Sequence, residues 1–437
     1  MNRKNIKILF IALFVFVNLI FSAYSNTPPD QINDKDLVSL INKVPPPPKS
    51  INDVIKLLDN SKADVQSVEK YKQIINSTPD PNLKGVQLFE YHQRKFEALE
   101  QLGLVKELEQ NCLKGIEITQ ELSKDLNTDT ANDLYLNAEI NCLNFHSIEG
   151  DRQKALDRID KVLKHPHVQK MSGFQLTLLY FKIDNLTWLG DLNSAKEVSN
   201  DIDRLISRMR GFRSWTDWGY HWTYQAESAK GHYLMLAGKA SEAELSYARA
   251  LNAMDIRIKY NNIAGGNPNA KLNQKEQMLS FKAYMLSLVA SSLQAQKKLI
   301  EAEYYHRESL KIYLGLGGKN SVRVARQIAR LSSVVTEQGR FEEGNILAQY
   351  SLKSYIEAGL PDKALNVISS KKAVASTLVN IEKYSEALNY FTAIKSTINS
   401  DEFLKKYFGE LGDLDEVVAL IFTKNFQKAE TVAQSIF

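Results

Sequence analysis

One short phrase recurs eight times along this chain, and it limits what the chain can fold into. The phrase is an apolar helix end, a turn often containing Gly, an apolar or aromatic residue, and then a small residue three positions on. It begins at Gly103, Gly150, Gly190, Gly238, Lys297, Gly339, Glu382 and Lys424. Its last position falls at 108, 155, 195, 243, 302, 344, 387 and 429, and the final three intervals are 42, 43 and 42 residues. Self-similarity at such a period is the mark of a stacked repeat architecture, in which each unit is one supersecondary motif.

The units are helical. Beyond Pro81 the chain holds only Pro166, Pro268 and Pro361. A helix interior rejects proline because the ring removes a donor and clashes with the preceding turn. The apolar spacing is close to 3.6 throughout, with no convincing strand alternation. A long chain of helices alone is a bundle or a solenoid, and repetition favours the solenoid. The earlier intervals, 47, 40, 48 and 59, imply longer helices or insertions. The largest insertion contains a loop by composition, Ala264 to Asn269.

The phrase resembles the centre of the tetratricopeptide repeat (TPR), where a tight turn joins helix A to helix B. The resemblance implies that the small residue on helix B lets helix A approach closely. The larger packing residue of the family is Tyr247 or Phe391 here, and the next small one is Ala250, Ser309 or Ser351. Gly231 matches the helix-A glycine of the fourth repeat, whereas the helix-A tryptophan is missing from most repeats. The long spacing is similar to that of kinesin light chains, as are the turn Gly339 to Glu343 and the helix-A start Ser321 to Ala325. The expected fold is all-α, a right-handed α-solenoid of about eight TPR-like helix-turn-helix repeats over residues 85–437. Helices at Ile51–Leu58 and Val65–Ile75 are expected to cap it, within residues 51–84. No polar capping helix follows the last repeat. Exported bacterial arrays of this kind often precede a caspase-like (CHAT) peptidase domain, an association that the resemblance brings and the residues do not.

The start of the chain reads as an export signal. Arg3, Lys4 and Lys7 precede an apolar run from Ile8 to Phe21, and Ala23 and Ser25 supply the small residues that a signal peptidase requires. The run is short of the roughly 20 residues that span a bilayer. Residues 1–25 are therefore expected to be cleaved, leaving a periplasmic or secreted bacterial protein with no membrane span. Residues 26–50, with Pro28, Pro29 and Pro45 to Pro48, are expected to be a Pro-rich linker. Three of the positive charges behind the formal +4 lie in the signal, which holds no acid, so the remainder carries +1. That balance argues against a nucleic-acid partner. In an oxidising compartment Cys112 and Cys142, on neighbouring helices, could form a disulfide or be two small buried thiols.

No catalytic signature is present. The chain has no HExxH, CxxC or GxSxG. Gly315 to Ser321 fails as a phosphate loop because Asn320 breaks the Gly-Lys-Ser/Thr element, and it follows a helix rather than a strand. A helix C-terminal turn explains its glycines better. His165 and His167 flank Pro166 without a visible third metal ligand. The expectation is a protein that is not an enzyme and has no cofactor or metal.

Two surfaces are candidate binding sites. Trp215, Trp218 and Trp222 share one helical face, with Tyr220 and Tyr224 as a neighbouring stripe; such a face either anchors a partner or packs into the core. Arg323, Arg326 and Arg330 share a face of helix A in the sixth repeat, and Lys371 and Lys372 lie on helix A of the seventh. The resemblance places helix A on the concave groove that takes up peptides. The Arg326 and Arg330 spacing is similar to the basic pair of the carboxylate-clamp subclass, but Ser228, His232 and Leu288 stand where the rest of that clamp would be. The stripe either grips an acidic peptide, since guanidinium forks suit carboxylates, or is a solvated face closed by internal ion pairs. The function expected is an exported, non-enzymatic protein–protein interaction scaffold that binds a peptide or protein segment in its groove. The alternatives are the regulatory array of a caspase-like peptidase system whose catalytic domain is absent from this chain, or a cell-envelope assembly factor.

Overall fold

The repeated phrase folds into the same turn six times. Gly190, Gly238 and Gly339 adopt φ of 74°, 73° and 79°, and Lys297, Glu382 and Lys424 adopt 62°. In every case the amide of the next residue closes on the carbonyl five positions earlier, at 2.8–3.2 Å, from Asp191 to Leu186 through Asn425 to Leu420. This closure satisfies a carbonyl that a helix end otherwise leaves unpaired. The next helix begins one residue later.

The computed structural model describes residues 34–60, 65–102, 107–122, 128–149, 151–261, 268–319, 321–402, 404–405 and 413–436. The expected signal, residues 26–33 of the expected linker, the turn at Gly103, Gly150 and most of the loop from Ala264 lie outside the described residues. Three helices come first: α1 (Asp34–Ile41), α2 (Asn52–Asn60) and α3 (Val65–Asn76). Eight pairs follow. They are α4 (Gly85–Leu102) with α5 (Leu108–Leu122), α6 (Thr128–Glu149) with α7 (Arg152–Leu163), and α8 (Ser172–Leu189) with α9 (Leu192–Met209). Then come α10 (Trp215–Leu236) with α11 (Ala240–Asn261), α12 (Pro268–Ala295) with α13 (Leu299–Gly317), and α14 (Val322–Glu337) with α15 (Phe341–Glu357). The last are α16 (Leu365–Asn380) with α17 (Tyr384–Asn399), and α18 (Leu414–Phe422) with α19 (Phe426–Gln434). Among the described residues no helix is long and apolar enough to cross a membrane.

Each pair closes over its small residue. Ala155, Ala195, Ala243, Ala302 and Ala387 are completely buried. A β-carbon on Gly344 would stand 2.1 Å from the Thr336 hydroxyl, and one on Gly231 only 2.3 Å from the Tyr247 ring. The first helices of neighbouring pairs touch one another, α8 with α10, α12 with α14, and α14 with α16. They make the inner wall of an α-solenoid, and the second helices make the outer wall. Cys112 and Cys142 are joined as a disulfide that ties α5 to α6 across a sequence separation of 30.

The segment expected to be a linker is not a free spacer where it is described. α1 buries Leu37 and Ile41 in the cluster that holds Tyr247 of α11 and Tyr305 of α13. Arg249 grips Asp34 with two bonds of 2.9 and 2.6 Å. The chain then crosses the outer helices. Tyr305 donates to the Ile41 carbonyl at 3.3 Å, Arg307 holds Asp53 at 2.6 Å and the Ser50 carbonyl at 3.0 Å, and Glu343 accepts the Ile51 amide at 3.1 Å. Ile51 and then Val54 and Leu58 of α2 join the core of α13 and α14. So α2 straps the middle of the array instead of capping its first pair, while α3 packs on α4 as a cap would. The physical reason is simple: apolar residues spaced along an arm with paired acids find a matching groove between outer helices, and burying them outweighs the freedom of a tether.

The array also meets itself. Glu100 of α4 pairs with Arg323 of α14 at 2.9 Å, and Tyr71 of α3 donates to Glu276 of α12. Phe96 and Leu99 belong to the same buried apolar cluster as Val322 and Ala325.

Candidate functional site: the inner wall around Asp184

Six helices of the array send polar side chains to one place. Asp184 of α8 accepts from Arg152, at the start of α7, at 3.3 Å, and from the Tyr284 hydroxyl of α12 at 3.2 Å. His232 of α10 lies 3.7 Å from the same carboxylate through Nε2, and its Nδ1 faces the Tyr247 hydroxyl at 3.2 Å. Arg152 also donates to Asn185 at 3.1 Å and stacks over Trp188 at 4.8 Å. Arg330 of α14 donates to the Ser287 hydroxyl. Arg326, one turn earlier, sits among Tyr355, Tyr284 and Tyr313 and within electrostatic reach of Asp184.

Burial pushes the Asp184 carboxyl up, but His232 when protonated, the charges of Arg152 and Arg326 and the Tyr284 hydroxyl bring it below the ordinary carboxylate range. Burial also holds His232 below the usual imidazole range, against the pull of Asp184. At neutral pH His232 is therefore uncharged, and Arg152 carries the ion pair. The phenols of Tyr180, Tyr284 and Tyr313 are pushed up, first by burial, and stay protonated donors.

The count of charges is what matters chemically. Asp184 neutralises Arg152. Among the described residues neither Arg326 nor Arg330 has a carboxylate within ion-pair distance, and the Arg326 Nε is buried with no hydrogen-bond partner. Both arginines stay partly exposed. A guanidinium with no contacting carboxylate among the described residues, set in a low-dielectric wall of tyrosines, suits a carboxylate or another planar anion.

The structure divides the residues singled out from sequence. Arg323, Arg326 and Arg330 do share one face, but Arg323 is taken by Glu100. Lys371 pairs with Asp362 at 3.0 Å and Lys372 with Asp413 at 2.8 Å, so α16 contributes internal ion pairs. The aromatic stripe is divided as well. Tyr224 is 1% exposed and packs against Tyr180 and Phe281; Trp222 is 8% exposed and packs against Gly173 and Trp215. Both are packing residues, Trp215 is half-buried beside them, and Trp218 alone of the four stands in solvent. Ser228 bonds to the Tyr224 carbonyl, and Leu288 is core. His167 contacts Asp133 at 3.0 Å and Asp129 at 3.6 Å, within helix-to-turn packing. Gly318, in the segment compared with a phosphate loop, ends α13 at φ 74°, and Ser321 caps α14 through the Val324 amide.

Asp184, Arg152 and Tyr284 were not singled out from sequence. Asp184 carries a signal, since it is the one acid in the largely apolar helix α8. Its partners lie 32 and 100 residues away and share no local pattern with it.

No protein-family model matches the chain, and no curated protein sequence matches it. Several solved structures are similar in shape. A Rap protein complexed with competence and sporulation factor is 12% identical, covering 92% of this chain and 99% of that one, with a TM-score of 0.45. A signal-transduction ATPase with a tetratricopeptide repeat sensor, from Pyrococcus horikoshii, is 11% identical over 94% of this chain and 65% of its own, at 0.43. BtubC (BKLC) from P. vanneervenii is 12% identical over 69% and 91%, at 0.32. The assignment of the fold rests on the helix pairs themselves, with their shared left-handed turns and their small crossing residues. The chain is an α-solenoid of consecutive helix-turn-helix pairs.

Proposed function

We propose that this chain is a non-enzymatic protein–protein interaction scaffold, exported from a bacterial cell, that holds an acidic peptide or protein segment against its inner wall. The observation that carries the reading is the Arg326 and Arg330 pair, partly exposed on α14, without a contacting carboxylate among the described residues and ringed by protonated tyrosines. The groove would take an extended segment, with one carboxylate on the two guanidinium groups and aromatic or aliphatic neighbours over Tyr284 and Tyr313. Export is supported by the three-part pattern of residues 1–25 and by the Cys112–Cys142 disulfide, a bond that persists in oxidising compartments.

The test is selection of peptides from a random library, followed by fluorescence anisotropy on the selected sequences. Acidic sequences should be enriched. Each of Arg326→Gln and Arg330→Gln should weaken binding by about 1.5–3 kcal/mol, the worth of a hydrogen bond to a charged group. Undiminished binding by the double variant, with circular dichroism unchanged, would sink the proposal.

A further inference from the structure

The last helix pair carries an apolar stripe that its own packing does not use. Leu414, Val418, Ile421 and Phe422 of α18 and Phe426 at the start of α19 are exposed, from 37% at Val418 to 63% at Leu414 and Phe422. At 3.6 residues per turn the four side chains of α18 fall on one side of the helix. The opposite side, with Glu416, Ala419 and Leu420, is buried, and Leu420 packs with Ala429 of α19 and Leu388 of α17. Phe422 stacks one ring face on Tyr384 at 4.6 Å and leaves the rest in water. The register of the repeat sets the stripe apart. Six residues before the left-handed turn residue, earlier pairs carry Asp184, His232, Ser291, Ser333 and Ser376, whereas α18 carries Val418. The helix with the next most exposed apolar side chains, α15, has Phe341, Ile346 and Ile356, whose spacing of five and ten residues does not make a stripe. A contiguous apolar surface of this kind marks a place that another molecule covers.

The charges around the stripe point to the occupant. Asp413 and Glu416 are held by Lys372 and Lys395. Among the described residues Asp415, Lys424, Lys428 and Glu430 make no ion pair, so acids and lysines balance. A strongly basic or acidic partner gains nothing from a balanced rim, but a second copy does. Asp415 stands in the first turn of α18 and Lys424 just past its end, and their midpoint falls between Ala419 and Leu420, at the centre of the stripe from Leu414 to Phe426. Turning a second copy end over end about that point lays stripe on stripe and sets each Asp415 beside the partner's Lys424. Antiparallel helix dipoles favour the same arrangement, and a self-complementary patch closes as a two-fold dimer. The other end of the array offers no match for a head-to-tail stack. Among the described residues α3 and α4 expose no large apolar side chain, and α4 is packed against α3 and α13. We infer that two copies of this chain pair through α18 and the start of α19, antiparallel about a two-fold axis. The stripe lies two pairs beyond Arg326 and Arg330, and the inference goes beyond the scaffold reading and does not depend on it.

Sedimentation velocity of the full chain over about 1–100 µM tests this, a range suited to an interface at the small end of the usual sizes. The chain should pass from monomer to dimer within it. Asp415→Lys alone and Lys424→Asp alone should each weaken self-association roughly tenfold, because both rim pairs of the dimer become like charges. Mixed in equal amounts, the two variants should associate with each other as strongly as the unaltered chain does, since each supplies the sign that the other lacks. A variant that had merely lost its fold would not be rescued by mixing. Ile421→Ser with Phe422→Ser should leave the chain monomeric, while the Arg326→Gln and Arg330→Gln double variant should dimerise as before. The apolar run near the start of the chain is present in every variant, so association through it would persist in all of them. A monomer throughout the range overturns the inference and assigns the stripe to a different chain. So does a dimer that the stripe substitutions leave intact, or a pair of single variants that mixing does not rescue.

Discussion

Arg326 and Arg323 lie one turn apart on the same face of α14, yet among the described residues only Arg323 has a carboxylate in contact. The difference is Glu100, which reaches Arg323 from 223 residues away. The spacing of the arginines was legible in sequence because helical periodicity is local. Which of them is neutralised was not, because Glu100 and the partners of Lys371 and Lys372 arrive through tertiary packing. The same holds for the tryptophans: their shared face could be read, but whether it meets solvent depends on Gly173 and Tyr180 on α8. At this scale the buried histidines make a pH prediction. His146 is held down to about 4, by burial first and then by the charge of Arg158, and His221 to about 3, by burial and Arg257. Unfolding returns both to the ordinary range near 6.5, so below that pH the unfolded chain binds more protons than the folded one. Stability should therefore be full above about pH 6.5 and decline as pH falls toward 4 and 3. Thermal unfolding between pH 7.5 and 4, followed by circular dichroism, checks this; the slope should flatten in His146→Gln. A melting temperature constant across that range would contradict the assignment of neutral histidines.

The turn is the element on which the fold depends, and it was the most readable part of the chain. The sequence phrase marks an αL residue, a cap and a small crossing residue, and the structure has all three. Three of the six turns place a residue with a β-carbon in the left-handed region, which costs about 1–2 kcal/mol relative to a relaxed backbone. Replacing Lys297, Glu382 or Lys424 by Gly should therefore stabilise the array, by roughly 0.5–1 kcal/mol each after the added freedom of the unfolded chain is subtracted. Denaturant midpoints should move upward for each variant. The converse case is Gly231, where the Tyr247 ring leaves no room for a methyl group. Gly231→Ala should cost about 1–3 kcal/mol, the usual range for overpacking, and a neutral result would mean that α10 and α11 can separate freely.

The whole molecule departs from an open array in two ways, by the arm strapped over the outer helices and by the contact of α4 with α14. Neither was legible, since a proline run reads as a spacer whatever surface awaits it. Arg307 shows how the arm is held. It is buried, is paired within its own helix to Glu303 at 2.7 Å, and extends to Asp53 and two arm carbonyls. Arg307→Met should cost about 3–5 kcal/mol, because Glu303 is left buried with one partner fewer. It should also raise hydrogen exchange in residues 34–60 before the rest of the chain.

The central claim concerns the inner wall, and the most direct measurement of it is a cross-linking footprint. An acidic peptide selected for binding, carrying a photoreactive benzophenone, is irradiated with the full chain and the attachment sites are read by mass spectrometry. The account predicts sites on α10, α12 and α14 around Tyr284 and Arg326, lost in the Arg326→Gln and Arg330→Gln double variant. Sites on the outer helices α11, α13 and α15, or labelling unchanged in that variant, would contradict it.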